Sequence, residues 1–192
     1  MSVKFEVKMT DKIMYDFLLY HTYTHMSGLL GAMIGVLALG MGINYMLSGD
    51  SMAAMPAFIL AALFLVVTPV SLKGKAKTQV QRTKMFQKPL EYELSEEGVT
   101  VRQGELEVTN KWEDFSKAVS TNRAVILYVT RMRALIFPRE SMEEQYEAAV
   151  KMISTHMPPK NVKIRHIAGY REDFEMIIEI RSAQETYELG LK

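Results

Sequence analysis

His21 and His25 stand one helical turn apart, a spacing that puts two imidazoles on one face and can hold zinc. The glutamate of a His-Glu-x-x-His motif is missing, and no third ligand lies nearby. Histidines at the edge of an apolar stretch fit equally well, so the pair is the sole metal candidate and no cofactor is expected. Gly74-Lys75-Ala76-Lys77-Thr78 superficially copies a phosphate loop. Pro69 occupies the place of the upstream glycine, however, and Ala76 that of the magnesium-binding hydroxyl. Serine-nucleophile signatures are absent. The acid pairs Glu96-Glu97, Glu113-Asp114 and Glu143-Glu144 fall at turns and a helix start, where adjacent carboxylates diverge or favour the helix dipole. No residue is therefore assigned to catalysis, and the chain is read as a non-enzyme.

Two further features could bind. Trp112, the only tryptophan, reads as a core or rim aromatic, with a ligand or partner contact as the alternative. Arg131-Met132-Arg133 is a basic loop between two candidate strands; Arg131 and Arg133 are either solvated or meet an anionic headgroup or peptide.

The densest charge is a collar of Lys73, Lys75, Lys77, Arg82, Lys84 and Lys88, with no acid anywhere from Ser51 to Leu90. Each such cation near an anionic leaflet contributes about 1 kcal/mol, so lipid headgroups are the expected partners of Lys73, Lys75, Lys77, Arg82 and Lys84. Beyond the collar the charges are mixed and rich in glutamate, which argues against nucleic acid. Cysteine is absent, which excludes disulfides and thiolate metal sites.

The collar follows two uncharged apolar stretches, 26–47 and 53–72, separated by Ser48-Gly49-Asp50-Ser51-Met52. Each reaches the roughly 20 residues a helix needs to cross a bilayer, so together they read as a transmembrane hairpin, 26–72. Lys4, Lys8 and Lys12 before it and the collar after it put both termini in the cytoplasm. Gly28, Gly31, Gly35, Ala38 and Gly42 form a small-residue stripe on the first span, answered by Ala54, Ala57 and Ala61 on the second. Such stripes let helices approach closely, within the hairpin or between copies of it. Pro69 should bend the second helix. The spans carry no Lys, Arg, Asp or Glu, which argues against a transport pathway.

The hairpin interrupts a strand-rich chain. Phe5–Met9 alternates as a strand, and Thr10 or Asp11 caps an amphipathic helix, together forming an N-terminal unit, 1–25. After a basic linker, 73–88, strands are expected at 90–94, 99–102, 106–112, 116–121, 124–130 and 133–137, joined by local turns as antiparallel hairpins. Ser141 and Glu144 form a capping box for a helix that ends at Pro158-Pro159. These elements define a domain at 89–157. The extension 158–192 holds a further candidate strand, 162–167, and alternating residues that favour a strand pair.

Leu94-Ser95-Glu96-Glu97-Gly98-Val99, Lys111-Trp112-Glu113-Asp114-Phe115 and Ala134-Leu135-Ile136-Phe137-Pro138-Arg139 are set in an order of parts that resembles the bacterial YcxB-like proteins, over roughly Val3–His156. The resemblance implies a pleckstrin-homology-like (PH-like) domain, a bent antiparallel sheet capped by a C-terminal helix, in a family without an assigned activity. The fold class expected is thus an α+β protein of the inner membrane, whose hairpin anchors a cytosolic PH-like binding or regulatory domain. A homo-oligomer assembled through the glycine stripe is the alternative, and a membrane-bound enzyme the third reading.

Overall fold

Strand β1 (Val3–Val7) buries alternate residues, Val3, Phe5 and Val7, and leaves Lys4 and Glu6 outside, as period-2 alternation dictates. The computed structural model describes residues 2–130 and 133–164. Thr10 caps α1 (Asp11–Thr24), its Oγ1 accepting from Ile13 N–H. At His25 the backbone is extended, and α2 (Met26–Leu47) starts immediately after. Asp50 caps α3 (Ser51–Ala62), which passes through a π-helical turn, Leu63–Val67, into α4 (Thr68–Arg82). The π turn has a local cause. Pro69 has no N–H for the regular helical bond and its ring crowds the preceding turn, while the Thr68 hydroxyl donates to Leu63 O.

The basic segment 73–88 is therefore no open linker. It is helical to Arg82, within one continuous 32-residue helix, Ser51–Arg82. At 1.5 Å per residue that helix is about 48 Å long, well beyond the ~30 Å of a bilayer core. Its last turns pack against α1: Ala76 is fully buried beside Met9, Ile13 and Met14, with Val80, Phe17 and Leu18 around them.

Two sheets follow. The first has the order β1-β2-β3-β4, all antiparallel, with β2 Leu90–Leu94, β3 Gly98–Gln103 and β4 Leu106–Lys111. The second has the order β7-β6-β5-β8, with β5 Lys117–Ser120, β6 Ala124–Tyr128, β7 Ala134–Pro138 and β8 Val162–Lys163. β8 falls within the strand expected at 162–167 and pairs parallel with β5. The strand pair expected in the tail lies outside the described residues, as does everything beyond 164.

The most consequential departure is β1. All five of its residues pair with β2, from Val3↔Leu94 to Val7↔Leu90. The N-terminal segment is thus not a separate unit, and the domain does not begin at 89. Val3, Phe5 and Val7 join the main core with Tyr92, Leu94, Val99, Leu127 and Phe137.

That core is closed by α5 (Arg139–Met142) and α6 (Tyr146–His156), whose Ala149, Val150 and Ile153 point inward. The expected capping box at Ser141 does not form. The chain turns helical directly after Pro138, breaks at Glu143 (φ +40°), and resumes at Tyr146. The break lets Gln145 Oε1 accept from Lys4 N–H of β1, and the Arg139 guanidinium covers the Tyr146 ring at 4.8 Å.

β6 is buried at every position, and the reason is its two covered faces. Val125 and Leu127 face the main core. Ala124, Ile126 and Tyr128 turn the other way, toward α1. A strand covered on both sides reads as a continuous apolar run.

Candidate functional site

β6 runs alongside α1, and this alignment builds a groove at the base of the first apolar helix. Near the start of α1, Asp16 accepts a hydrogen bond from the Thr121 hydroxyl, fixing the β5–β6 turn to the helix. From the middle of α1 onward Phe17 and His21, one turn apart, lie against Tyr128, the last residue of β6. Ring centroids are 6.2 Å apart for Phe17–Tyr128 and 6.1 Å for His21–Tyr128, the latter pair stacked within 20°. His25 then meets His21 edge-on at 4.3 Å. Lys117 opposes Tyr128 across the β5–β6 pair and sets its ammonium 4.5 Å from the ring centroid, a cation–π contact. Ser116 anchors the strand end, its N–H and hydroxyl both donating to Tyr128 O at 2.7 and 3.0 Å.

Between these parts lies an open groove of about 620 Å³, lined by His25, Met26 and Ser27 from the helix junction and Ser116, Lys117, Tyr128 and Thr130 from the sheet. Lys117 forms no ion pair among the described residues. The Tyr128 hydroxyl and His21 Nδ1 are buried without a hydrogen-bond partner. Burial pushes the Tyr128 phenol up to about 12, with Tyr20 adding to it. Burial also lowers the His21 pKa, and the neighbouring His25 and Lys117 lower it further. The groove therefore offers one available cation, hydroxyls and an aromatic floor: chemistry suited to holding an anion.

The sharp passage from α1 to α2 depends on Gly28. A Cβ there would lie 2.0 Å from Thr22 O, so Gly28 serves the junction rather than the second apolar helix. The rest of the stripe does face that helix, but against large side chains. Gly31 meets the Phe64 ring, Gly35 meets Leu65 and Phe64, and Gly42 meets the Phe58 ring, all at about 3 Å from where a Cβ would sit. Ala54 and Ala61 are buried and Ala57 is half-buried.

Lys73, Lys75, Lys77 and Arg82 are exposed on α4, off the Leu72–Ala76 face that packs inward, and Lys84 is exposed in the short 3-10 turn beyond. Trp112 is a core residue: 6 % exposed, its indole N–H donates to Ser95 O at 2.9 Å, and its ring stacks on His156 at 5.1 Å. It is not available to a partner. Arg133 is exposed, its N–H donating to Oγ1 of the groove residue Thr130; Arg131 lies outside the described residues. His21 and His25 are close, yet no group of three or more His, Cys, Asp or Glu gathers among the described residues.

Lys117 and Tyr128 were legible in principle. A tight turn centred on Asn122-Arg123 fixes the β5–β6 register, and that register places position 117 opposite position 128.

Residues 94–153, about a third of the chain, match the family model of the YcxB-like proteins. All three segments that carry the resemblance fall within that match, while β1, α1 and the apolar helices lie before it. No curated protein and no solved structure matches the chain.

Proposed function

We propose that this chain, a YcxB-like protein over residues 94–153, is an integral membrane protein whose helical hairpin holds a PH-like domain at the cytoplasmic surface of the bilayer as a binding or regulatory module. Only 22 % of the first apolar window and 11 % of the second is buried. Met26, Leu37, Leu47, Met55 and Ile59 are among the many large side chains left outside. Water would penalise so much contiguous apolar surface, and lipid removes the penalty. Because β1 and β2 flank the hairpin and pair with each other, both ends of the hairpin emerge on one side. The lysines around them support a cytoplasmic location for that side. The antiparallel strands β1–β4 and β5–β7 and a closing helix support the PH-like reading, with the parallel β8 added at the edge of the second sheet and the hairpin inserted between β1 and β2.

The observation that carries the binding role is the position of Lys117. It lines the same groove as Met26, the first residue of the first span, so its ammonium sits at headgroup level. The groove takes an anionic phospholipid headgroup. The glycine stripe is already occupied by Phe58, Phe64 and Leu65, which favours packing within the hairpin over assembly of copies through it.

The absence of cysteine makes the topology directly testable. In intact cells a membrane-impermeant maleimide should label Asp50→Cys and spare Glu97→Cys; the reverse pattern would overturn the orientation. In mixed nanodiscs, Lys117→Gln should retain several-fold less phosphatidylglycerol relative to phosphatidylcholine than the parent protein. Equal retention would remove the groove from lipid recognition.

A further inference from the structure

A second cavity lies at the opposite end of α1. It measures about 390 Å³ and is lined by Lys12 and Ile13 of α1, Asn122 and Arg123 of the β5–β6 turn, and Arg139 and Glu140 at the start of α5. Three cations thus converge from three separate elements, against one carboxylate. None of the three forms an ion pair among the described residues. The elements that carry them are tied together. The Thr121 hydroxyl ties the turn to Asp16, Arg139 N–H donates to Arg123 O at 2.8 Å, and the Arg139 guanidinium rests on Tyr146. Arg139 Nε is buried and has no hydrogen-bond partner. A buried charged donor left unmatched is costly, and an incoming oxyanion would remove that cost. Guanidinium groups suit phosphate because their fixed donors match its oxygens.

We propose that this cavity binds a phosphate-bearing anion. The 14 residues of α1 separate it from the groove at His25 by about 20 Å, on the side away from the apolar helices. That separation favours a soluble phosphate over a lipid headgroup, and the site is independent of the headgroup reading of the groove. The volume falls within the range of small-molecule pockets.

The test uses the full chain in a neutral detergent, with the unfolding midpoint followed against sodium pyrophosphate at constant ionic strength. A saturable rise in the midpoint is expected, with half-saturation at least about ten-fold higher in Arg139→Gln and Arg123→Gln and unchanged in Lys77→Gln. Arg123 is exposed, so its variant decides the matter if Arg139→Gln does not fold. A parallel arm measures binding to phosphatidylglycerol vesicles. Binding that depends on Arg123 there, without a pyrophosphate response, keeps the site and assigns the phosphate to a lipid. Absence of an Arg123-dependent response in both arms, or equal loss in Lys77→Gln, overturns the proposal. Lys117→Gln should leave the pyrophosphate response intact, which keeps failure of this site distinct from failure of the groove.

Discussion

Phe5, which precedes the hairpin, stacks on Tyr92, which follows it, with ring centroids 5.8 Å apart, and both meet Phe137 edge-on at 5.3 and 5.0 Å. This aromatic trio joins the two segments flanking the hairpin to β7. Phe5→Ala should cost about 3–5 kcal/mol, read as a lowered denaturation midpoint of the domain. A fragment beginning at Gln87 should fail to give a cooperative transition alone and recover it when a peptide spanning 2–9 is added.

Gly35 and Gly40 share α2 but not its packing. A Cβ at Gly35 would come within 2.9 Å of Leu65, whereas nothing lies within 4 Å of one at Gly40. Gly35→Leu should therefore destabilise the hairpin by about 1–3 kcal/mol, and Gly40→Leu should leave it unchanged. Thermal unfolding in one detergent compares the pair directly, and equal behaviour would contradict the helix packing.

Gly98 opens β3 at φ +152°, and a Cβ there would lie 2.1 Å from Asn110 O. Backbone cannot yield as a side chain tip does. Gly98→Ala should cost more than about 2 kcal/mol, and amide exchange should show β3 and β4 opening together.

The lowered pKa of His21 has a definite sign. Above the ordinary histidine value of 6.5 both folded and unfolded chains carry it neutral, and it adds no pH dependence. As pH falls through 6.5 the unfolded chain takes up a proton first, so stability declines toward the lower native pKa. His21→Phe keeps the stack on Tyr128 and should flatten the stability profile between pH 7.5 and 5.5. An unchanged slope would show that other groups carry it.

Much of the fold could be read from the chain because local rules agreed with the final packing. The alternation in 90–94, the turns at Gly98 and Asn122, and the Thr10 cap all appear where short-range chemistry puts them. What escaped was set by distant partners. Nothing local announces that β1 pairs with β2 across the hairpin. Lys73, Lys75 and Lys77 suggested a basic linker because the face that matters, Leu72 and Ala76, is a minority among cations. Ser141 and Glu144 satisfied a capping pattern, yet contacts of Gln145 with Lys4 and of Arg139 with Tyr146 fixed the helix start elsewhere. The groove escaped for the same reason, since it joins the α1–α2 junction to the ends of β5 and β6.

The pairing of β1 with β2 also governs the order of events as the chain is made. β1 leaves the ribosome first and cannot complete its sheet until β2 arrives, after both apolar helices. For a flexible segment, closing so long a loop would slow assembly. Here the two antiparallel helices return the chain to its starting point, so Val7 and Leu90 meet as though joined by a short connection. On the membrane reading proposed above, insertion is then the step that licenses the sheet to form, and a chain that fails to insert would present β1 and β2 as unpaired edges to the cell's quality-control machinery.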